Sequence, residues 1–161
     1  MRFFVSVWLT LLLGVCAWGK GPADRIVIEK AAHVMTLYRG EEKLRTYKVS
    51  LGGEPKGAKT RQGDHKTPEG TYTVDARNAN SHYYRSLHVS YPNAADRERA
   101  KKLGVSPGRD IMIHGLPNGE GFVGKAHLLH DWTDGCIAVT DEEMDEIWEL
   151  VPVGTVLVIR P

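Results

Sequence analysis

Apolar residues fall into short alternating runs along most of this chain and into one helical stripe near its end. Ile26 and Ile28 stand two apart, and Val34 to Tyr38 follow as a second apolar run. "RGEE" (39–42) then predicts a turn, and Thr46 to Leu51 a returning strand. Residues 52–70 are dense in Gly, Pro and charge, which predicts a long loop of the kind that is functional or mobile in a compact domain. "TYTVDA" (71–76) reads as a strand and "LHVSYP" (87–92) as a weakly alternating one. "NAADRERAKKLG" (93–104) predicts a short helix capped by Asn93 or Asp96 and stopped at Gly104. "DIMIHGLP" (110–117) reads as a buried strand running into a turn.

The stripe is the clearest signal. Thr140 with Glu143 three places on forms a capping box, and Met144, Ile147, Trp148 and Val151 lie on one helical face. Pro152 and Gly154 end that helix, and "TVLVIR" (155–160) closes as a strand. The acids from Asp141 to Glu149 read as its solvated face, with negative charge favoured at a helix N-terminus. There is no internal repeat and no low-complexity linker. The pattern predicts one mostly β domain with short helices, over residues 25–160.

The 161 residues suffice for one domain with a proper core. The first nineteen stand apart: Arg2, an apolar run from Phe3 to Ala17, then small residues. This predicts a secretory signal peptide over 1–19, cut after Gly19. The run falls short of the roughly 20 apolar residues of a membrane span, so no stable span is expected in the mature form. A lipoprotein reading would acylate Cys16, although Val15 stands where a small residue is preferred. Loss of Arg2 turns 21 basic residues into 20, against 20 acidic ones. A neutral chain lacks the basic surface that nucleic acid requires.

The same cut leaves Cys136 as the lone cysteine of an exported protein. In an oxidising compartment thiols usually pair. An odd one is an intermolecular partner, an inert core residue or a nucleophile. A thiol nucleophile needs a base or a positive field, and donors for the oxyanion. "DGC" (134–136) offers a tight turn in which the N–H groups of Gly135 and Cys136 converge, with Gly135 removing a side chain from the approach. His114, at the end of an apolar strand and followed by Gly115, is the best-placed base, with His127 and His130 as competitors. The bland alternatives are a core cysteine and a satisfied core histidine. His127, His130, Asp131, Asp134 and Cys136 could also suggest zinc, but their spacing matches no strong zinc signature. His65, His82 and His88 are individually uninformative.

These residues resemble the L,D-transpeptidase catalytic domain (YkuD-like) family. "IHG" (113–115) and "TDGCI" (133–137) match its two-part His-Gly … Ser/Thr-His-Gly-Cys signature. "HKTPEGTYTV" (65–74) looks like its Thr-Pro-x-Gly-aromatic element, and "IVIEKAAHVMTLYRGEEKLRTYKVSLG" (26–52) is similar to its opening strands. The resemblance implies a curved mixed β-sandwich with a short helix or two. It implies a periplasmic cysteine transpeptidase that attacks the L-centre–D-centre amide of a peptidoglycan tetrapeptide stem, expels D-alanine and passes the acyl group to an amine in cell wall biogenesis. Cys136 would be the nucleophile and His114 its proton acceptor and donor. Gly135 and Cys136 would supply the oxyanion N–H groups. No metal or organic cofactor is implied, and the partners are peptidoglycan stem peptides.

The sequence departs from that pattern in three places. Asp134 stands where the family usually has His, and is expected to orient His114, His127 or His130. Ala138 stands where an arginine usually helps bind the donor, so Arg85 or Lys125 is expected to replace it, with Gly115 and Thr133 nearby. The stretch from His114 to Cys136 is longer than usual, and "PNGEGFVGKAHLLHDW" (117–132) is expected to line or cover the site. A hydrolase on the same scaffold and a non-catalytic wall-binding module remain as alternative readings.

Overall fold

The alternation at Ile26 and Ile28 places both side chains in the core at the centre of a sheet, in a computed structural model that describes residues 21–161. The expected leader, with Cys16 and the cut after Gly19, lies outside the described residues. The strands are β1 (Arg25–Glu29), β2 (Val34–Arg39), β3 (Glu42–Lys48), β4 (Gly70–Ser81), β5 (Tyr84–Val89), β6 (Met112–His114), β7 (Ile137–Ala138) and β8 (Val156–Arg160). Two helices, α1 (Ala94–Lys102) and α2 (Asp141–Leu150), accompany them.

The sheet is mixed, in the order β3-β2-β1-β8-β4-β5-β6-β7. β1 runs parallel to β8 and β6 parallel to β7; the other neighbours are antiparallel. β4 serves both halves, pairing with β8 over Gly70–Thr73 and with β5 beyond Val74, with bulges between. Bulges bend a strand and increase its twist, and the sheet curls until its ends meet. Ser50 and Gly52, just beyond β3, bridge to Ala138 of β7 and to Thr133 ahead of it. The curled mixed sheet with few helices is the fold class the sequence implied. Between its halves Ile26, Leu37, Leu87, Ile113, Ile137 and Leu157 are fully buried.

α2 closes this core as the stripe predicted. Thr140 accepts from the Glu143 N–H, Glu143 caps back, and Met144, Ile147 and Val151 are buried. α1 carries a second capping box, in which Asn93 is the cap and Asp96 its partner, so both expected capping residues act. Two boundaries differ from expectation. The returning strand starts at Glu42, because an edge strand exposed on most of its surface needs no apolar alternation. β4 runs on to Ser81 through the exposed "RNAN", which likewise carries no apolar signal. The stretch after β6 contains 3-10 turns over Gly121–Leu129, kinked at Gly124.

Candidate active site

β6 and β7 bring the thiol and its imidazole together. Ile113 lies opposite Ile137 and His114 opposite Ala138. Side chains alternate along a strand, so the isoleucines enter the core while His114 shares a face with Cys136, one residue before β7. Both line a hollow of about 370 Å³. The His114 ring, 3% exposed, lies 4.6 Å from the Tyr83 ring and 5.9 Å from that of Trp132. Its Nδ1–H donates to the Gly115 carbonyl at 2.7 Å. A carbonyl can only accept, so Nε2 is the nitrogen left for chemistry.

Burial pulls the His114 imidazole down to about 4, against the opposing effect of the Gly115 carbonyl. Burial also pushes the Cys136 thiol up, helped by the Asp134 and Asp110 carboxylates and opposed by the Met112 N–H and Lys59. The half-buried sulfur donates to the Asp110 carbonyl at 3.6 Å. At neutral pH both groups therefore rest uncharged, as a thiol and a neutral imidazole.

The turn that carries Cys136 is tied to the loop over residues 52–70. A Cβ on Gly135, whose φ is +127°, would sit 2.5 Å from the Lys66 carbonyl oxygen. Glycine is thus required by the approach of protein backbone, where the sequence had suggested room for substrate. The Gly135 N–H donates to Thr133 Oγ1 at 3.1 Å, and Thr133 Oγ1 donates to the Cys136 carbonyl at 2.8 Å. The expected Gly135 oxyanion donor is therefore engaged within the turn, and buried Thr133 braces the turn where it lines the hollow of His114 and Cys136. Asp134 accepts from His65 Nδ1–H at 2.7 Å, and not from His114, His127 or His130 as expected.

The description "L,D-transpeptidase catalytic domain" (YkuD) fits residues 23–159 of this chain by family comparison. The chain belongs to the L,D-transpeptidase catalytic domain family. It is 33% identical over 133 residues to YafK of Escherichia coli (strain K12), provisionally named an L,D-transpeptidase, over 78% of this chain and 46% of that protein. The helical cell shape determining protein Pgp2 of Campylobacter jejuni superposes with a TM-score of 0.66 at 23% identity, over 88% of this chain and 48% of Pgp2. An L,D-transpeptidase from Mycobacterium smegmatis gives 0.57 at 17% identity, over 86% and 59%. The chain thus spans about half the length of YafK and of Pgp2.

In this L,D-transpeptidase domain three of the expected donor-binding residues lie outside the hollow of Cys136 and His114. Arg85 pairs with Asp145 of α2 at 3.0 Å and lies over the Trp148 ring. Lys125 lines a separate hollow with Arg45, Glu142 and Glu146. Gly115 is packed against Asp141 and Tyr84, and its carbonyl serves His114. The cations that share a hollow with Cys136 are Lys59 and Arg109. Sequence reading missed both, because each sits in a Gly- and Pro-rich loop without periodicity.

The competing histidines are also placed apart from the thiol. Ser50 Oγ donates to the His127 carbonyl at 2.9 Å and accepts from His127 Nδ1 at 3.2 Å. His127 and His130 line another hollow, of about 230 Å³, behind Trp132. The "PNGEGFVGKAHLLHDW" stretch builds that hollow and delivers Trp132 to the His114 ring. Asp131 is occupied by His33 Nε2 and the Leu51 N–H. Among the described residues no group of three or more His, Cys, Asp or Glu side chains is placed to hold a metal ion. No helix among them is long and apolar enough to cross a membrane.

Proposed function

We propose that this chain is a periplasmic cysteine acyltransferase acting on tetrapeptide stems of peptidoglycan. The observation that carries this reading is the pairing of Cys136 with His114 in one hollow, with the imidazole proton locked on Nδ1 and Nε2 unencumbered. His114 Nε2 takes the thiol proton as Sγ bonds to the carbonyl carbon between the L- and D-centres. The carbon–nitrogen bond then breaks, and the same proton leaves on the amine of D-alanine. An imidazolium that loses its proton near pH 4 is a strong acid, which suits it to protonating a departing amine. The thioester left on Cys136 is resolved by an amine of another stem, restoring the thiol. Likeness to Pgp2, a helical cell shape determining protein, supports a role in the cell wall.

The test is intact-protein mass after incubation with purified tetrapeptide stem. The expected adduct is the stem less D-alanine, on the native protein and not on Cys136→Ala. Cross-linked dimers in the presence of an amine-bearing stem mark transfer, whereas shortened monomers alone mark a hydrolase on the same scaffold. An unmodified thiol that also resists alkylation near neutral pH would point to a wall-binding module and overturn the reading.

A further inference from the structure

Cys136 and Asp134 line two hollows. One, already described, contains His114; the other, of about 430 Å³, contains His65, Lys59 and Arg109. The first also contains His82, and each holds an imidazole whose Nδ1–H has an acceptor: His114 is buried and His65 about half exposed. His114 gives its Nδ1–H to the Gly115 carbonyl, and His65 gives its Nδ1–H to the Asp134 carboxylate, both at 2.7 Å. A carboxylate on Nδ1 fixes the tautomer, leaves Nε2 as the working nitrogen and stabilises the imidazolium once a proton arrives.

The backbone that presents His65 is fixed. Its φ of +53° is uncommon for a non-glycine residue. Two buried lysines hold the loop in which it sits. Lys59 pairs with Asp64 at 2.8 Å, with both side chains at most 6% exposed. Lys30 donates to the carbonyls of Gly57 and Thr67 and to Glu69. The His65 carbonyl accepts from the Glu54 N–H at 2.9 Å. A surface ion pair alone contributes at most about 1 kcal/mol and requires none of this support.

Resting on the acyl-enzyme reading above, we infer that His65, held by Asp134, is a second catalytic base, which activates the acceptor that attacks the Cys136 thioester from the loop side. The acceptor's N–H or O–H proton passes to His65 Nε2 as its nitrogen or oxygen bonds to the thioester carbon. The carbon–sulfur bond breaks, Cys136 leaves as thiolate, and the proton on His65 returns to the sulfur. Thioester and acceptor thereby become amide or acid and free thiol. His114 serves acylation, enclosed by Tyr83 and Trp132 in its own hollow, while His65 serves deacylation from the other.

The experiment is a quenched-flow mass time course with tetrapeptide stem on the full chain, with and without an amine-bearing stem. His65→Ala is expected to acylate at the native rate and hold the thioester about a hundredfold longer, the usual scale for a lost general base. Asp134→Asn should lengthen it less, and added imidazole should shorten it in His65→Ala, which a purely structural role would not allow. His114→Ala should fail to acylate. A His65→Ala thioester that turns over at the native rate, or acylation and deacylation falling together, overturns the assignment. A native protein that never forms the thioester overturns the acyl-enzyme reading itself, and the base assignment falls with it.

Discussion

The two walls of the thiol cleft are built on different principles. One is the strand pair β6–β7, in which isoleucines with no exposure back His114 and Cys136. The other is the loop over residues 52–70, which buries few apolar side chains and is held by two buried lysines. A strand wall derives its precision from the sheet, whose alternation fixes which face each side chain takes. A loop wall has no ladder, so charged groups out of water must supply the rigidity. Such groups hold position because leaving one of them unpaired is costly. The comparison makes separate predictions for the two walls.

The largest effect is expected where the walls touch. Gly135→Ala puts a methyl 2.5 Å from the Lys66 carbonyl oxygen, at a φ of +127° that L residues rarely adopt. Strain and overpacking together should destabilise the fold by about 4 kcal/mol. Urea unfolding measures it, and a loss below about 1 kcal/mol would mean that the loop yields freely at this contact.

Lys59→Met tests the loop wall alone. It leaves the Asp64 carboxylate buried with the N–H groups of Thr60, Arg61 and Lys66 and, at 3.5 Å, the Thr60 hydroxyl for partners. Removing one member of a buried pair typically costs about 3–5 kcal/mol, and the remaining donors place this one near the lower end. The strand wall should be spared, so Cys136 alkylation at a fixed fraction folded should slow only by what the lost Lys59 charge, which favours the thiolate, accounts for. If alkylation changes as much as stability does, the two walls are mechanically one.

These contrasts also explain what the sequence made legible. The strand wall could be read because Ile111 and Ile113 mark a buried strand that ends at His114, and Cys136 stood out as the lone thiol behind Gly135. α2 was equally readable from its cap and its stripe. The loop wall was recognisable only as a long polar segment. Nothing in the spacing of Lys30, Lys59, Asp64 and Glu69 says which will be buried together, because their partners lie up to 39 residues apart. His65 was unreadable for the same reason: its partner Asp134 is 69 residues away. Arg85 and Lys125 were offered on charge alone, and charge does not say which hollow a side chain faces.

Acid should loosen the two walls in sequence. His114 takes up a proton near pH 4 in the folded protein and near 6.5 when unfolded. Between those values the unfolded state binds more protons, so stability falls as pH drops, by about 3 kcal/mol in all. Asp64 is shifted in the same direction and likewise loses stability in acid. Burial alone would raise its carboxyl, but Lys59 and three backbone N–H groups hold it near 2, against 3.8 in the free state. Its contribution, about 2 kcal/mol, is complete above 3.8 and fades as pH falls to 2. The slope of stability against pH should therefore differ between native protein and His114→Gln from pH 6.5 to 4, and between native protein and Asp64→Asn only below 4. Overlapping windows would mean that the walls titrate as one unit.

The smallest effect should come from the brace that joins Cys136 to its own turn. Thr133 is 6% exposed and its hydroxyl links the Gly135 N–H to the Cys136 carbonyl. Thr133→Val keeps the shape and removes both bonds, leaving a buried N–H and a carbonyl to find new partners. A lost hydrogen bond of this kind costs about 1 kcal/mol net. Thr133→Ser retains the hydroxyl and should stay within a few tenths of a kilocalorie of the native protein. The valine variant should also acylate a few-fold more slowly, because a freed turn lets the sulfur wander from His114 Nε2. The serine variant should not. If valine lowers stability while acylation holds, sheet pairing at Ile137 positions the sulfur without help. If serine slows acylation as much as valine, the methyl group, and not the hydrogen bonds, sets the turn.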